Sequence, residues 1–334
     1  MADIVTLPVP ATTTSRFVVA AARLPADLVN LVKEQADGAF GDHLVNRLHT
    51  PQLEITNEDA TRYRWDPTQI RSVDPEHAGT ETLLRTAARI AVITTCAPIT
   101  DQPRAVQVAR SAAYTIARHT GGTVADMVTG HILWAPTSGT IPHLDPVERP
   151  RFALGDKWLG DVLPPFRANG RCTAPDPHLD PEGADTCACV RLRTQGLRRF
   201  GLPELEIANV ACPHDLPALN VLRATAHLLL TDLWSWLATG PSGHTCPLPA
   251  DLTITGLDFD AYWGTPPRPP HRISPFPIHL TPRTRHLLTV GPPPSHEGTI
   301  NDWLLSPELP NDMRNTTPPS TALQPPTFTP ALAA

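Results

Sequence analysis

A chain of 334 residues, 41% of them hydrophobic, is long enough to bury a sizeable core in one large or two ordinary domains. Its net charge of −6 and pI near 6.1 argue against a nucleic-acid binder that relies on bulk attraction to phosphate, while leaving room for a local basic patch. The opening MADIVTLPVPATTTSR has no basic segment leading into an apolar one, and no run of about 18 apolar residues occurs, so a cytoplasmic protein without membrane association is expected. Six cysteines in a chain this size do not make a disulfide framework. Arginine far exceeds lysine, which occurs only as Lys33 and Lys157; with 40 prolines, this resembles the coding bias of a GC-rich genome and is given no functional weight.

In chain order, residues 1–15 are expected to be a flexible leader. Phe17, Val18 and Val19 crowd into a buried strand over 16–24, and Leu28, Leu31 and Val32 give 25–35 an amphipathic helix behind Pro25. Residues 53–57 and 61–65 read as a short strand pair, and 67–80 as loop. The β-branched run Ala88–Cys96 predicts a strand. A helix follows, capped by Thr100 or Asp101 with Pro103 in its first turn, striped by Val106, Ala109, Ala113, Ile116 and Ala117, and stopped at Gly121-Gly122. Thr123–Trp134 returns as extended chain bent at Thr129-Gly130. Residues 136–167 are expected to be irregular, with one strand over 151–154, and the polar, Pro/Gly-rich 168–186 marks a boundary between two lobes.

The second lobe, 187–305, states its structure most openly. Val190, Leu192 and Thr194 alternate with Arg191, Arg193 and Gln195; after the turn-prone 196–201, Leu205 and Ile207 alternate with Glu204 and Glu206. That is the period of an antiparallel hairpin with one apolar and one charged face. From Asp215 the period lengthens, and Leu219, Leu222, Ala226, Leu229, Leu230, Leu233 and Leu237 form one stripe on a helix of about six turns. Strands are expected over 252–259, 277–280 and 286–290. Beyond Leu305 periodicity ends, which predicts a disordered, proline-rich tail over 306–334. The fold class is therefore α+β: a mixed or antiparallel sheet covered by two long helices, with a first lobe over 16–167 and a second packed on it.

Two phrases carry a resemblance. ARSAAYTIARHTGGTVAD (Ala109–Asp126) is a small-residue helix ending in Gly-Gly and followed by aspartate, and TQGLRRFGLPELEI (Thr194–Ile207) fits a T-x-G-L-x-x-F-G-x-P-E-L-E hairpin. Together they resemble an uncharacterised bacterial family known only as a domain of unknown function. The resemblance covers about a third of the chain and implies an α+β fold. It implies no activity, cofactor or catalytic residue.

Candidate chemistry is sparse. Glu204 and Glu206 fall on one strand face about 7 Å apart, a spacing suited to a metal or an acid/base pair; the simpler expectation is a ladder of opposite charges with Arg191 and Arg193. Cys187 and Cys189 with Cys212, or more widely Cys172, Cys246, His178, His214 and His244, are weak metal candidates, because no CxxC pair is present. Asp126 and His131 flank the Thr129-Gly130 bend, yet no G-x-S-x-G elbow supplies a nucleophile; Asp126 reads more simply as a turn residue and Asp215 as a helix cap. Arg198, Arg199 and Phe200 suit either an interaction knob or a solvated hairpin tip. The functional expectation is a non-catalytic binding module, without cofactor, for an unidentified protein or small-molecule partner. The alternative is a hydrolase-like enzyme with a carboxylate site near Asp126, Glu204 and Glu206.

Overall fold

Residues 3–60, 84, 86–135, 147–160, 188, 190–240, 243–266 and 274–315 are described by a computed structural model of the chain. Its first half contains β1 (Ile4–Pro8), β2 (Thr12–Ala20), α1 (Leu28–Gln35), α2 (Gly41–Arg47), β3 (Leu53–Asp59), β4 (Arg89–Pro98), α3 (Arg104–Thr120), β5 (Thr123–Asp126) and β6 (Ile132–Trp134). The second half contains β7 (Val190–Arg193), β8 (Glu204–Val210), α4 (Asp215–Ala238), β9 (Thr245–Pro249), β10 (Asp251–Ile254), α5 (Gly256–Tyr262), β11 (Phe276–Thr284), β12 (Leu287–Gly291), α6 (Ile300–Leu305) and α7 (Asn311–Asn315). The strands form two five-stranded sheets, ordered β3-β4-β2-β5-β6 and β10-β11-β12-β8-β7, and a ribbon of β1 with β9. The first sheet is antiparallel throughout; in the second, β12 and β8 run parallel. The architecture is α+β.

Each sheet carries one long helix, by different means. On α3 the alanines 105, 109, 112, 113 and 117 are all buried, and this small-residue face lets the helix lie close on β2 and β4. Helix α4 is buried on more than one side: Ala218, Val221, Ala224 and Thr225 are enclosed as well as Leu222, Leu229 and Leu233. Its outer surface is covered by α5 and α7. Leu219 and Leu237 stay half-buried at its margins, so the single stripe legible in the sequence understates how far this helix is enclosed. One apolar core runs through both sheets, from Phe17 and Val19 through Trp158 to Phe200, Leu205 and Leu222.

Several expectations are corrected. The leader is not loose: Val5 and Leu7 are buried and stand opposite Leu248 and Cys246 in the ribbon, so residues 4–8 belong to the second half's structure, and 9–11 lead across to β2. The strand expected over 252–259 ends at Ile254, because Thr255 and Asp258 form a reciprocal capping box that starts α5. Residues 151–154 form no strand: the chain bends at Arg151 and enters a turn at Leu154. The tail expected from 306 begins too early: Leu309 and Met313 are buried, and Asn220 on α4 donates from Nδ2 to the Met313 carbonyl at 2.9 Å. The remainder of that tail (316–334), the strand expected over 61–65, the loop over 67–80 and the lobe boundary over 168–186 lie outside the described residues.

Candidate binding cleft

The link between β7 and β8 positions the site. Leu197 and Phe200 of its 3-10 turn are fully buried, Phe200 meeting Trp158 and Phe152 edge-on at 6.2 and 5.3 Å. Glycines bracket the turn where no side chain fits. Gly196 has φ +127°, and a Cβ there would lie 2.6 Å from the Trp158 carbonyl oxygen; Gly201 has φ +84°, and a Cβ would lie 2.6 Å from Ile99 Cδ1. The hairpin tip is thus pressed into the first sheet's structure instead of standing in water, and Arg199 goes in with it.

Arg199 and Asp126 form a pair with both side chains wholly excluded from solvent. The guanidinium Nη2 donates to both Asp126 oxygens, at 2.7 and 2.8 Å. Asp126 Oδ1 also accepts from the Val128 N–H at 2.8 Å, which closes the β5–β6 turn. The turn role expected of Asp126 is present, and the ion pair is an addition that only the fold supplies. Among the described residues Arg199 Nε and Nη1 have no hydrogen-bond partner, while the guanidinium lies 5.9 Å from the Phe17 ring centroid and 5.6 Å from that of Trp158. Neither the knob nor the solvated tip expected for this residue is found.

Glu204 is buried too, but its neighbours are dipoles. Oε1 accepts from the Gly196 N–H at 2.9 Å and the Arg198 N–H at 3.4 Å; Oε2 accepts from the Thr194 hydroxyl at 2.7 Å and the Leu197 N–H at 3.4 Å. Burial pushes its carboxyl above the ordinary range, and these hydrogen bonds pull part of the way back. Glu206 is buried and accepts from Arg283 Nη1 at 2.8 Å, with the Arg283 side chain 52% exposed. The charge ladder with Arg191 and Arg193 is therefore corrected. Arg193 does stand opposite Glu206 in register, yet β8 is an interior strand between β12 and β7, and Glu204 through Ile207 are buried on both faces. Nor do the three carboxylates make a joint site: each is held by a different partner.

Of the remaining candidates, Cys172, Cys187, Cys189 and His178 lie outside the described residues, Cys212 is half-buried, and Cys246 is buried in the ribbon. Among the described residues no cluster of three or more metal-ligating side chains occurs. His131 accepts the Asp126 N–H at its backbone carbonyl. Asp215 is the first residue of α4 and makes no capping hydrogen bond, because a 3-10 turn over Cys212–His214 already leads into the helix.

Over the turn opens a cleft of about 890 Å³, within the range of small-molecule sites. Its lining comes from five places: the link Pro8–Thr14, Val128, the β7–β8 connection from Arg193 to Glu204, His244 before β9, and Arg285-His286 between β11 and β12. Arg193, Arg198 and Arg285 face this space, and among the described residues none of them has an ion-pair partner. Among the described residues the cleft's one carboxylate is Glu204, whose two oxygens are already occupied by hydrogen bonds. Arg285 Nε donates to His286 Nε2 at 2.7 Å, and partial desolvation together with the positive charges of Arg198 and Arg285 lowers the His286 pKa.

Sequence reading missed Arg193, Arg285 and His286 as site residues. In sequence Arg193 fits a charge ladder, and an arginine excess of coding origin hides the few arginines that gather. The available signal was local: Arg285-His286 falls between two strand patterns, and Arg198 in a glycine-bracketed turn. No family model matches the chain, and neither a curated protein nor a solved structure does. Among the described residues, no helix is long and apolar enough to cross a membrane.

Proposed function

We propose that the protein is a non-catalytic binding module whose cleft takes an anionic small molecule. The observation that carries this reading is the convergence of Arg193, Arg198 and Arg285, free of carboxylate partners among the described residues, on a cavity whose only acid among those residues is saturated by hydrogen bonds. Unpaired guanidiniums repel one another at close quarters, and a bound anion relieves that repulsion while gaining charge-assisted hydrogen bonds. Desolvation is the largest cause of the lowered His286 pKa, and the positive charges of Arg198 and Arg285 add to it in the direction expected of a basic cleft. A polyanion such as nucleic acid is disfavoured by the net charge of −6. The hydrolase alternative gains no support from the geometry, since Asp126, Glu204 and Glu206 are engaged by Arg199, backbone amides and Arg283 respectively.

The test is thermal unfolding of the purified chain against a panel of anionic and neutral metabolites. Anionic members should raise the melting temperature, as any ligand specific to the folded state does. The gain should vanish in the Arg198→Ala/Arg285→Ala double variant. Stabilisation confined to neutral compounds, or retained in that variant, would sink the reading.

A further inference from the structure

Resting on that reading, we infer that the cleft's ligand is an organic phosphate monoester, its doubly charged head held by Arg193, Arg198 and Arg285 and its body laid on the apolar wall of the same cavity. Charge balance comes first. Arg199 is neutralised by Asp126, and Glu204 offsets one of the three open guanidiniums, so the described residues give the cleft an excess equivalent to two positive charges when its histidines are neutral. A monocarboxylate or sulfate ester balances half of this excess. A phosphate monoester, with a second pKa near 6, brings between 1.5 and 2 negative charges at about pH 7.

Donor count points the same way. Each guanidinium carries five N–H groups in a planar fork, of which only the Arg285 Nε–H is given to a described residue, His286, and the hydroxyls of Thr12 and Thr14, both exposed, stand on the same lining. A carboxylate has two oxygens to receive them, whereas a phosphate monoester presents three terminal oxygens and matches the fork geometry bidentately. Size and texture then require a body. Water occupies about 30 Å³ in the liquid, so a cavity of about 890 Å³ is far larger than a free inorganic anion needs. Pro8, Val9, Pro10, Val128, Leu202 and Pro203 supply a non-hydrogen-bonding wall beside the basic rim. An apolar wall next to convergent charged donors is the usual make-up of a small-molecule site.

The experiment compares phenyl phosphate with phenyl sulfate, near-isosteres that differ in charge, by isothermal titration calorimetry at about pH 8. Phenyl phosphate should bind about tenfold or more tightly than phenyl sulfate, the worth of one strong charge-assisted interaction. Arg198→Ala and Arg285→Ala should each weaken phenyl phosphate about tenfold and narrow the difference between the probes. Both arginines are exposed, so the variants should keep the wild-type melting temperature, which is recorded alongside. Equal binding of the two probes with loss in the arginine variants overturns the phosphate assignment and leaves the anion cleft standing. Absence of binding by either probe at tens of millimolar, or binding indifferent to both variants, overturns both.

Discussion

Asp126, at the β5–β6 turn, and Glu204, at the start of β8, are both withdrawn from water around the same glycine-bracketed turn, and they are accommodated by opposite means. Asp126 is met by a full charge, the guanidinium of Arg199, in a pair that water does not reach. Glu204 is met by a hydroxyl and by backbone N–H groups of residues 196–198, which carry partial charge only. The first arrangement ties the two sheets to each other, because Asp126 belongs to the first and Arg199 to the link within the second. The second fixes the internal shape of that link. A buried ion pair and a buried dipole cradle thus divide the work of holding the cleft floor, and they should fail differently.

Loss of Asp126 should have the largest effect. Asp126→Ala leaves the Arg199 guanidinium buried and uncompensated, which costs about 3–5 kcal/mol in urea unfolding. A loss below about 1 kcal/mol would show that Arg199 finds another partner or reaches water, and the contrast between the two carboxylates would collapse. Glu204→Ala should cost less, about 1–3 kcal/mol, since it strands the Gly196 N–H and the Thr194 hydroxyl but no formal charge. Glu204→Gln should cost about 1 kcal/mol or less, because glutamine keeps an acceptor for Gly196 and can donate to the Thr194 oxygen.

That pair of variants also carries a pH signature. Because burial raises the Glu204 carboxyl in the folded state, the folded protein holds its proton to higher pH than the unfolded chain does. Its contribution to stability is therefore fully present below the ordinary glutamate range and is lost as pH rises from that range through the raised folded value. Urea-derived stability plotted against pH should show this decline in the wild type and lack it in Glu204→Gln. A curve of the same slope in both would mean that hydrogen bonding by Thr194 and the 196–198 amides fully offsets burial, and the raised carboxyl would be refuted. Smallest of all should be Glu206→Gln, expected to cost less than about 1 kcal/mol because its partner Arg283 is more than half exposed. A cost above 2 kcal/mol in that variant would place Glu206 with the structural carboxylates.

Local pattern fixed much of the secondary structure. The Ala-rich stripe and Gly121 bounded α3, the lengthened period after Asp215 bounded α4, and the alternation around Leu192 and Leu205 announced β7 and β8. These signals are legible because helix and strand periods follow from backbone geometry within a few residues. The α+β class followed from them. What alternation cannot state is how many neighbours a strand has. Glu204 and Glu206 look solvent-facing on an isolated hairpin, yet both are buried in a strand that β12 makes interior from more than 80 residues away, Glu204 beneath the 196–198 turn and Glu206 against Arg283. Likewise Val5 and Leu7 look like part of a loose leader until β9 supplies their partner strand. The cleft is further still from the sequence: Arg285 lies more than 80 residues from Arg193 and Arg198, and although Arg198 and Arg285 each sit in a connection between strands, nothing local says that the three face one space. Sequence set which segments are helix or strand; tertiary pairing decided which charges lost water, which found partners, and which three were left facing one space.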